Sequence, residues 1–224
     1  MLKGWRCLRC FTTPLPFSRV EPSVVDGPTA LPEWAQNQRP HLKPLVVGRF
    51  GVSPPWCDPV GEIPLSIDPG PTFGHGAHPT TQLVLTEIDR LIKPGHTVLD
   101  AGCGSGVLGI AASCAGAGSV TGIDNDPDAV AWANFNAQAN RVEVEASTCL
   151  LSSFTKPFDL VVANVLPSVQ KIFASDLCRL VSGHLVLSGI PADQADNTTA
   201  LYSGHFTETQ CTHQDGWVAI VLTP

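Results

Sequence analysis

A glycine-rich turn between an apolar strand and a helix constrains this chain more than any other stretch of its sequence. The run Val98-Leu99-Asp100-Ala101-Gly102-Cys103-Gly104-Ser105-Gly106 has three glycines at alternate positions. Apolar residues at 97–99 predict a buried strand, and small and apolar residues at 107–114 predict a helix. Such a turn offers backbone N–H groups and a helix N-terminus to a ligand, and glycine permits close approach and a positive φ. We therefore predict a cofactor site at Gly102, Gly104 and Gly106.

Two classes of adenosine cofactor use a turn of this kind. The string Gly104-Ser-Gly106-Val-Leu-Gly109 fits the pattern of dinucleotide-binding folds, but it begins late relative to the strand. The spacing Asp100-x-Gly102-x-Gly104-x-Gly106 resembles instead the first motif of S-adenosylmethionine-dependent methyltransferases. A second predicted strand, 119–124, ends in Asp124, whose carboxylate has two oxygens to accept hydrogen bonds from a ribose. That carboxylate suits either cofactor, so the turn leaves the choice open.

Helices and strands alternate along the rest of the chain, which predicts a mostly parallel, doubly wound sheet with helices on both faces. The chain then closes with two strands joined at Asp215-Gly216, a dipeptide typical of hairpins. This ending resembles the α/β, Rossmann-like class I methyltransferase fold, whose last strand lies antiparallel beside its neighbour. It disfavours a nicotinamide-dependent oxidoreductase, which would need a further catalytic domain. The predicted helices are 80–91, 107–114, 127–140, 168–181 and 192–202, and the predicted strands are 97–99, 119–124, 141–146, 158–163, 184–188, 206–214 and 217–222.

The first third of the chain is rich in proline. Fourteen of the 20 prolines precede residue 80, which predicts extended and turn structure. We expect an irregular segment at 1–30, an extended subdomain or linker at 31–72, and the cofactor-binding domain at 73–224. Within 31–72 we predict helical turns at 31–38 and strands at 44–52 and 61–67. Residues 1–20 carry arginines and no acid, which fits either the remnant of a shortened N-terminal domain or a transit peptide.

The charge balance bears on the partner. The chain has 13 basic and 20 acidic residues, and four of the basic ones precede Glu21, so the remainder carries 9 basic against 20 acidic residues. A nucleic-acid binder normally has a basic footprint, so this excess favours a neutral or cationic acceptor, such as a lysine-bearing protein, over RNA or DNA. No apolar run approaches the roughly 20 residues of a membrane span. We expect a cytoplasmic protein and a monomer, or a mitochondrial protein if residues 1–20 are a transit peptide.

The cysteines and histidines do not predict a metal site. Cys7 and Cys10 are the one closely spaced cysteine pair, and a zinc ribbon needs a second pair. His75 and His78 share a glycine-rich loop, but no third ligand is near them in the sequence. We expect this loop to close over the cofactor, with Phe73 packing against it and Thr81 contributing a hydroxyl group.

Five segments together resemble the ribosomal protein L-eleven methyltransferases, the PrmA type. The resemblance extends from about Glu33 to the C-terminus, including Trp34. It implies a protein methyltransferase that uses S-adenosylmethionine to modify amines, lysine side chains or an N-terminal amine, of ribosomal protein L-eleven. Two departures are His75, where the family usually has threonine, and an N-terminal domain reduced to some thirty unrelated residues. The segments are 68–81 (DPGPTFGHGAHPTT), 100–106, 122–127 (GIDNDP), 161–166 (VVANVL) and 187–190 (LSGI).

The resemblance also carries over cofactor contacts, onto Thr81, Gly102, Asp124 and Asn164. Asn164 follows a central strand, where ligands bind in open α/β sheets, and its amide oxygen could hold a neutral amine for methyl transfer. We therefore predict Asn164 as the catalytic residue. Asp100 is grouped with the cofactor site, with the expectation that it braces the turn through backbone N–H groups. Methylation of another protein or a small-molecule amine, and a catalytically idle cofactor-binding module, remain the alternatives.

Overall fold

The computed structural model describes residues 27–224, which form a seven-stranded sheet, a small three-stranded sheet and the helices around them. Predictions for residues 1–26, including Cys7, Cys10 and the transit peptide, lie outside the described residues. The strands are β1 Leu45–Val47, β2 Phe50–Ser53, β3 Ile63–Ser66, β4 Thr97–Ala101, β5 Ser119–Ile123, β6 Glu145–Ser147, β7 Phe158–Asn164, β8 Val181–Pro191, β9 Glu208–Gln214 and β10 Trp217–Thr223. The helices are α1 Glu33–Gln38, α2 Pro79–Leu91, α3 Val107–Cys114, α4 Pro127–Ala139, α5 Pro167–Leu180 and α6 Ala195–Ala200.

The large sheet has the order β6-β5-β4-β7-β8-β10-β9. The first five strands are parallel to their neighbours, while β10 lies antiparallel to both β8 and β9. Asp215 (φ +48°) and Gly216 (φ +80°) form the turn between the last two strands, since both adopt the left-handed conformation that a tight hairpin needs. The predicted fold class, a mostly parallel sheet closed by a C-terminal hairpin, is confirmed.

Two apolar cores cover the two faces of the sheet. Leu160 and Val162 of β7 belong to the core beneath α2 and α3, and Val161 and Ala163 belong to the core beneath α5. All four residues are fully buried. The apolar run at 160–163, within the strand predicted at 158–163, therefore reflects a central strand covered on both faces of the sheet. Trp132 is also fully buried, whereas Phe135 is half-buried against its ring.

Residues 44–52 form two strands, not the single strand predicted. Gly48 has a φ of +56° and turns the chain, so that β1 and β2 pair antiparallel. Val47, Phe50 and Val52 then pack into the same core as α2 and α3. Within this segment the Arg39 guanidinium forms a buried ion pair with the carboxylate of Asp68, and the Asn136 amide of α4 exchanges hydrogen bonds with the backbone of Asp68.

Other boundaries were predicted wrongly for local reasons. The helix predicted at 192–202 is a 3-10 turn at Ala192–Gln194 followed by the short α6. The strand predicted at 141–146 is shortened to β6 because Arg141, with a φ of +56°, ends the preceding helix in a turn. The strand predicted at 97–99 continues to Ala101 as β4, so Asp100 lies within the sheet and is fully buried. No described helix is long and apolar enough to span a membrane.

Candidate functional site

The glycine turn has the backbone conformation that its sequence predicts. The φ values of Gly102, Gly104 and Gly106 are +85°, +52° and +82°, a backbone conformation that residues with a side chain rarely adopt. The N–H groups of Gly102 and Cys103 both donate to the carbonyl oxygen of Ile123, at 2.8 and 3.0 Å. The turn is therefore fixed to the end of the neighbouring strand β5. Gly106 caps α3, with its own carbonyl accepting the first helical hydrogen bond from Ile110.

The loop at 70–78 lies directly against this turn. The backbone N–H of Ser105 donates to the carbonyl oxygen of Phe73 at 3.0 Å. A Cβ atom on Gly104 would come within 2.7 Å of the same oxygen, so the close approach requires glycine there. The Phe73 side chain itself is about half exposed, at 53%. The loop and the turn thus form one wall of a cavity.

This cavity has a volume of about 730 Å³, within the range of small-molecule sites. It lies at the carboxyl ends of β4, β5 and β7, the edge at which open α/β sheets bind ligands. Six of the eight predicted site residues line it: Phe73, Thr81, Gly102, Gly104, Asp124 and Asn164.

Asp100 and Gly106, the other two predicted site residues, do not line the cavity. Asp100 accepts a hydrogen bond from the N–H of Gly109 in α3 at 3.1 Å, so it joins β4 to the helix that follows the turn. Its Oδ1 atom is buried without a partner among the described residues. Burial, together with the nearby charge of Asp124, raises the pKa of Asp100 to about 7, against an opposing effect of the Gly109 N–H. The geometry therefore places Asp100 as a brace behind the turn, out of reach of a ligand in the cavity.

Asp124 stands at the edge of the cavity with both carboxylate oxygens held by backbone. Oδ2 accepts from the N–H of Gly104 at 3.0 Å, and Oδ1 accepts from the N–H of Asp126 at 3.1 Å. An ionised carboxylate has about four acceptor positions, so each oxygen retains capacity for a further donor. Asp124 is thus oriented by the turn and still able to accept a pair of hydroxyl groups. Asp126 separately caps α4 by accepting a hydrogen bond from the N–H of Asp128.

Asn164, the predicted catalytic residue, is the last residue of β7 and faces the cavity. Its Nδ2 atom lies 3.5 Å from the hydroxyl oxygen of Thr81. Its Oδ1 atom is buried and has no hydrogen-bond partner among the described residues. A buried amide oxygen without a donor costs free energy, so its retention in a cavity indicates a position for a ligand donor.

Several lining residues were not predicted from the sequence. One wall is apolar, with Leu150 and Leu166 exposed at 71% and 62%. Leu166 lies only two positions beyond Asn164, which is a usable sequence signal, whereas nothing around Leu150 marks it. On the opposite side the His78 ring makes edge-to-face contacts with Phe73 and Trp217, at centroid distances of 5.3 and 5.0 Å. Trp217 comes from the C-terminal hairpin, so only the fold brings it to the site.

The two loop histidines do not form a metal site with other residues. No group of three histidine, cysteine, aspartate or glutamate side chains within 27–224 is arranged to hold a metal ion. His78 instead caps α2, since its Nδ1 atom accepts from the N–H of Thr80 at 3.3 Å. Desolvation by burial lowers the pKa values of both His75 and His78, which favours their neutral forms.

The sheet order and the cavity at the glycine turn define the class of protein, a Rossmann-like methyltransferase fold. The chain superimposes on the crystal structure of ribosomal protein L11 methylase from Lactobacillus delbrueckii subsp. bulgaricus with a TM-score of 0.74 and 28% identity, over 81% of this chain and 98% of that one. It matches the Thermus thermophilus 16S rRNA N2 G1207 methyltransferase (RsmC), in complex with AdoMet and guanosine, with a TM-score of 0.58 and 22% identity, over 69% of this chain and 45% of that one. This second likeness concerns the fold alone.

The family follows from sequence. The profile of the Ribosomal protein L11 methyltransferase (PrmA) family matches residues 23–224, so the chain belongs to that family. Relatives with that name include proteins from Cupriavidus necator, 42% identical over 194 residues, and Burkholderia mallei, 38% identical over 199 residues. These alignments cover 84% and 85% of this chain but 64% and 65% of the relatives. The chain thus spans just under two thirds of the length of these relatives.

Proposed function

We propose that this chain is an S-adenosylmethionine-dependent N-methyltransferase of a protein amine, and that its substrate is ribosomal protein L11. The observation that carries the proposal is the amide oxygen of Asn164, which is buried with no donor from residues 27–224, while Asn164 lines a cavity together with the glycine turn and Asp124. Family membership supports the reaction class, because relatives carry the name of that methyltransferase. A ribosomal substrate places the activity in the cytoplasm, or in the mitochondrion if residues 1–20 are a transit peptide.

The residues present fit S-adenosylmethionine. A Cβ atom on Gly102 would come within 2.4 Å of the Val165 side chain, so glycine is required there for the turn to pack against the segment that carries Asn164. Asp124 would hold the ribose hydroxyls with its remaining acceptor positions, and the apolar wall that includes Leu150 would cover the adenine ring. When bound, this cofactor supplies a methyl group on a sulfonium centre, which a nucleophile can accept directly.

The residues of the chain would then bind the substrate amine in its neutral form and orient it toward the methyl group. A free lysine side chain has a pKa near 10.4, so it must lose its proton to bulk water before its lone pair can form the new N–C bond as the C–S bond of the sulfonium breaks. The Oδ1 atom of Asn164 would accept a hydrogen bond from the neutral amine and direct the lone pair into the cavity. Orientation of this kind accounts for about 7–11 kcal/mol of a barrier in well-aligned systems, so a dedicated base is not required.

The decisive experiment pairs methyl transfer with cofactor binding. Purified ribosomal protein L11 would be incubated with labelled S-adenosylmethionine and the chain, and the product located by mass spectrometry. We expect methylation of an amine, and we expect Asn164→Ala to reduce kcat by about 100-fold, as for a lost positioning contact, with the Kd for the cofactor nearly unchanged. Equal losses in both quantities would make Asn164 a cofactor contact only.

Asn140→Ala is the matched control. The Asn140 amide exchanges hydrogen bonds with the backbone of Ser66, and the residue does not line the cavity. We expect it to lower thermal stability without changing kcat.

Methylation of another protein or of a small amine, and not of L11, would support the proposed reaction class and refute the proposed substrate. Cofactor binding by calorimetry with no transfer to any acceptor would indicate an idle binding module, and tight NAD binding alone would overturn the proposal. Sedimentation of the same sample tests the accompanying proposal of a monomer.

A further inference from the structure

A buried glutamine lies directly behind the end of the strand that carries Asn164. Gln170 of α5 is fully buried, and its Nε2 atom donates to the carbonyl oxygens of Ala163, at 3.0 Å, and Ser188, at 3.2 Å. Ala163 precedes Asn164 in β7, and Ser188 is the residue paired with Asn164 in β8. One side-chain amide therefore bridges the two parallel strands at the point where they separate to form the cavity.

A second buried side chain orients this glutamine. The Tyr202 hydroxyl donates a hydrogen bond of 2.9 Å to Oε1 of Gln170, and the tyrosine is only 1% exposed. The two backbone carbonyl oxygens can accept only from the NH2 group of the Gln170 amide, so this group must face them. The amide oxygen then faces the Tyr202 hydroxyl, which donates to it. Burial raises the pKa of Tyr202, so the hydroxyl keeps the proton that it donates.

The residue after Asn164 is confined on both sides by glycines. A Cβ atom on Gly189 would come within 2.5 Å of the Val165 carbonyl oxygen, and one on Gly102 would come within 2.4 Å of its side chain. Val165 therefore has little room to move toward Gly189 or Gly102. The backbone of 163–165 is held by Gln170 from behind and by the two glycine turns from either side.

We propose that Gln170, held by Tyr202, is a positioning residue that sets the placement of the Asn164 amide in the cavity. The inference rests on the proposed function, and it assigns no contact with a reacting group, because neither Gln170 nor Tyr202 lines the cavity. Removal of the amide releases two buried carbonyl groups at the strand ends, so that β7 and β8 shift relative to each other. A displacement of about 1 Å in a reacting group lowers a rate by about 100-fold.

The test uses Gln170→Leu, which keeps a similar volume and removes both donors, and Tyr202→Phe, which removes one hydroxyl. We expect kcat for L11 methylation to fall by about 10- to 100-fold in Gln170→Leu and by a smaller factor in Tyr202→Phe. The Kd for S-adenosylmethionine, measured by calorimetry, should stay within about threefold, or about 0.6 kcal/mol. Leu177→Ala, a core truncation on the same helix, is the control, with a lower melting temperature and an unchanged kcat.

Hydrogen exchange on the full chain gives a readout that does not need turnover. In both variants the amides of 163–166 and 187–189 should exchange faster, while those of β4 keep their protection. Unchanged kcat in folded Gln170→Leu, or an equal loss of cofactor affinity, would overturn the inference. If the unaltered chain methylates no acceptor, the proposed function fails, yet local deprotection at these strand ends would still distinguish positioning from a general loss of stability. Uniform deprotection in Tyr202→Phe would overturn the positioning role as well.

Discussion

The hydroxyl of Ser105 donates a hydrogen bond of 2.7 Å to the carbonyl oxygen of Gly74, which joins the glycine turn to the loop that borders the cavity. The carbonyl oxygen of Ser105 in turn accepts from Nδ2 of Asn136, whose amide also exchanges hydrogen bonds with the backbone of Asp68. The turn, the loop and helix α4 are therefore parts of one buried polar network. A substitution that displaces the loop should therefore also displace the glycine turn.

We first predict the effect of Ser105→Ala. The substitution leaves the Gly74 carbonyl without its buried donor, which costs about 1–3 kcal/mol of unfolding free energy. Because the loop then moves more freely, we expect the Kd for S-adenosylmethionine to rise by at least about threefold, or about 0.6 kcal/mol. Calorimetry and denaturant unfolding measure the two quantities. Ser203→Ala is the control, since its hydroxyl donates to Ala200 on an exposed surface, and it should leave both within about 0.5 kcal/mol. Unchanged affinity in folded Ser105→Ala would refute the coupling.

The second prediction separates backbone strain from steric blockage at the turn. Gly102 and Gly204 have nearly the same φ, +85° and +83°. A Cβ atom on Gly102 would meet the Val165 side chain at 2.4 Å, whereas a Cβ atom on Gly204 would have no described atom within 4 Å. Alanine at either position costs about 1–2 kcal/mol of stability through the left-handed backbone. Only Gly102→Ala should also weaken cofactor binding, by at least about tenfold, or about 1.4 kcal/mol. Equal affinities in the two variants would show that the close packing of Gly102 against Val165 does not affect cofactor binding.

The third prediction concerns the pH dependence of stability through Asp100. In the unfolded chain its carboxyl ionises near pH 3.9, whereas burial raises its pKa in the folded protein to about 7. Between these values the folded state binds the extra proton, so the contribution of Asp100 to stability decreases as the pH rises and is constant above about 7. Asp100→Asn removes this effect. The stability of the variant relative to the parent should therefore increase by on the order of 1–2 kcal/mol between pH 5 and 7.

Asp159→Asn provides a control of opposite sign. Hydrogen bonds from the N–H and hydroxyl of Thr97 lower the pKa of Asp159, so its contribution to stability is present above the unfolded pKa and is lost as the pH falls through the folded value. Urea unfolding at a series of pH values measures both variants. A relative stability of Asp100→Asn that is flat between pH 5 and 7 would show that Asp100 titrates normally.

The sequence predicted the order of elements from residue 79 onward because each has a clear local signal. Asp126 and Pro127 begin a helix, Asp215 and Gly216 form a hairpin turn, and the apolar run at 158–163 is a central strand. The predicted boundaries were wrong where one residue adopts a left-handed backbone conformation, as at Gly48 and Arg141. Whether a residue adopts that conformation depends on the packing of the segments on either side of it.

The site was predictable where local motifs hold it and unpredictable where distant segments meet. The glycine turn and the carboxylate after β5 were evident, whereas the partly exposed Leu150, the aromatic contact between His78 and Trp217, and the Gln170–Tyr202 hydrogen bond were not. His78 and Trp217 are 139 residues apart along the chain, and Gln170 and Tyr202 are 32 residues apart. No periodicity or turn signal can encode such a pairing.

Sequence by itself determined the glycine turn, the alternation of strands and helices, and the family, since each depends on residues that are neighbours along the chain. Tertiary structure alone decided that Asp100 lies behind the turn, out of the cavity, and that the amide oxygen of Asn164 receives no hydrogen bond from the described part of the chain. The physical reason is that burial and hydrogen-bond satisfaction depend on every segment packed around a side chain, and those segments come together only when the sheet is assembled.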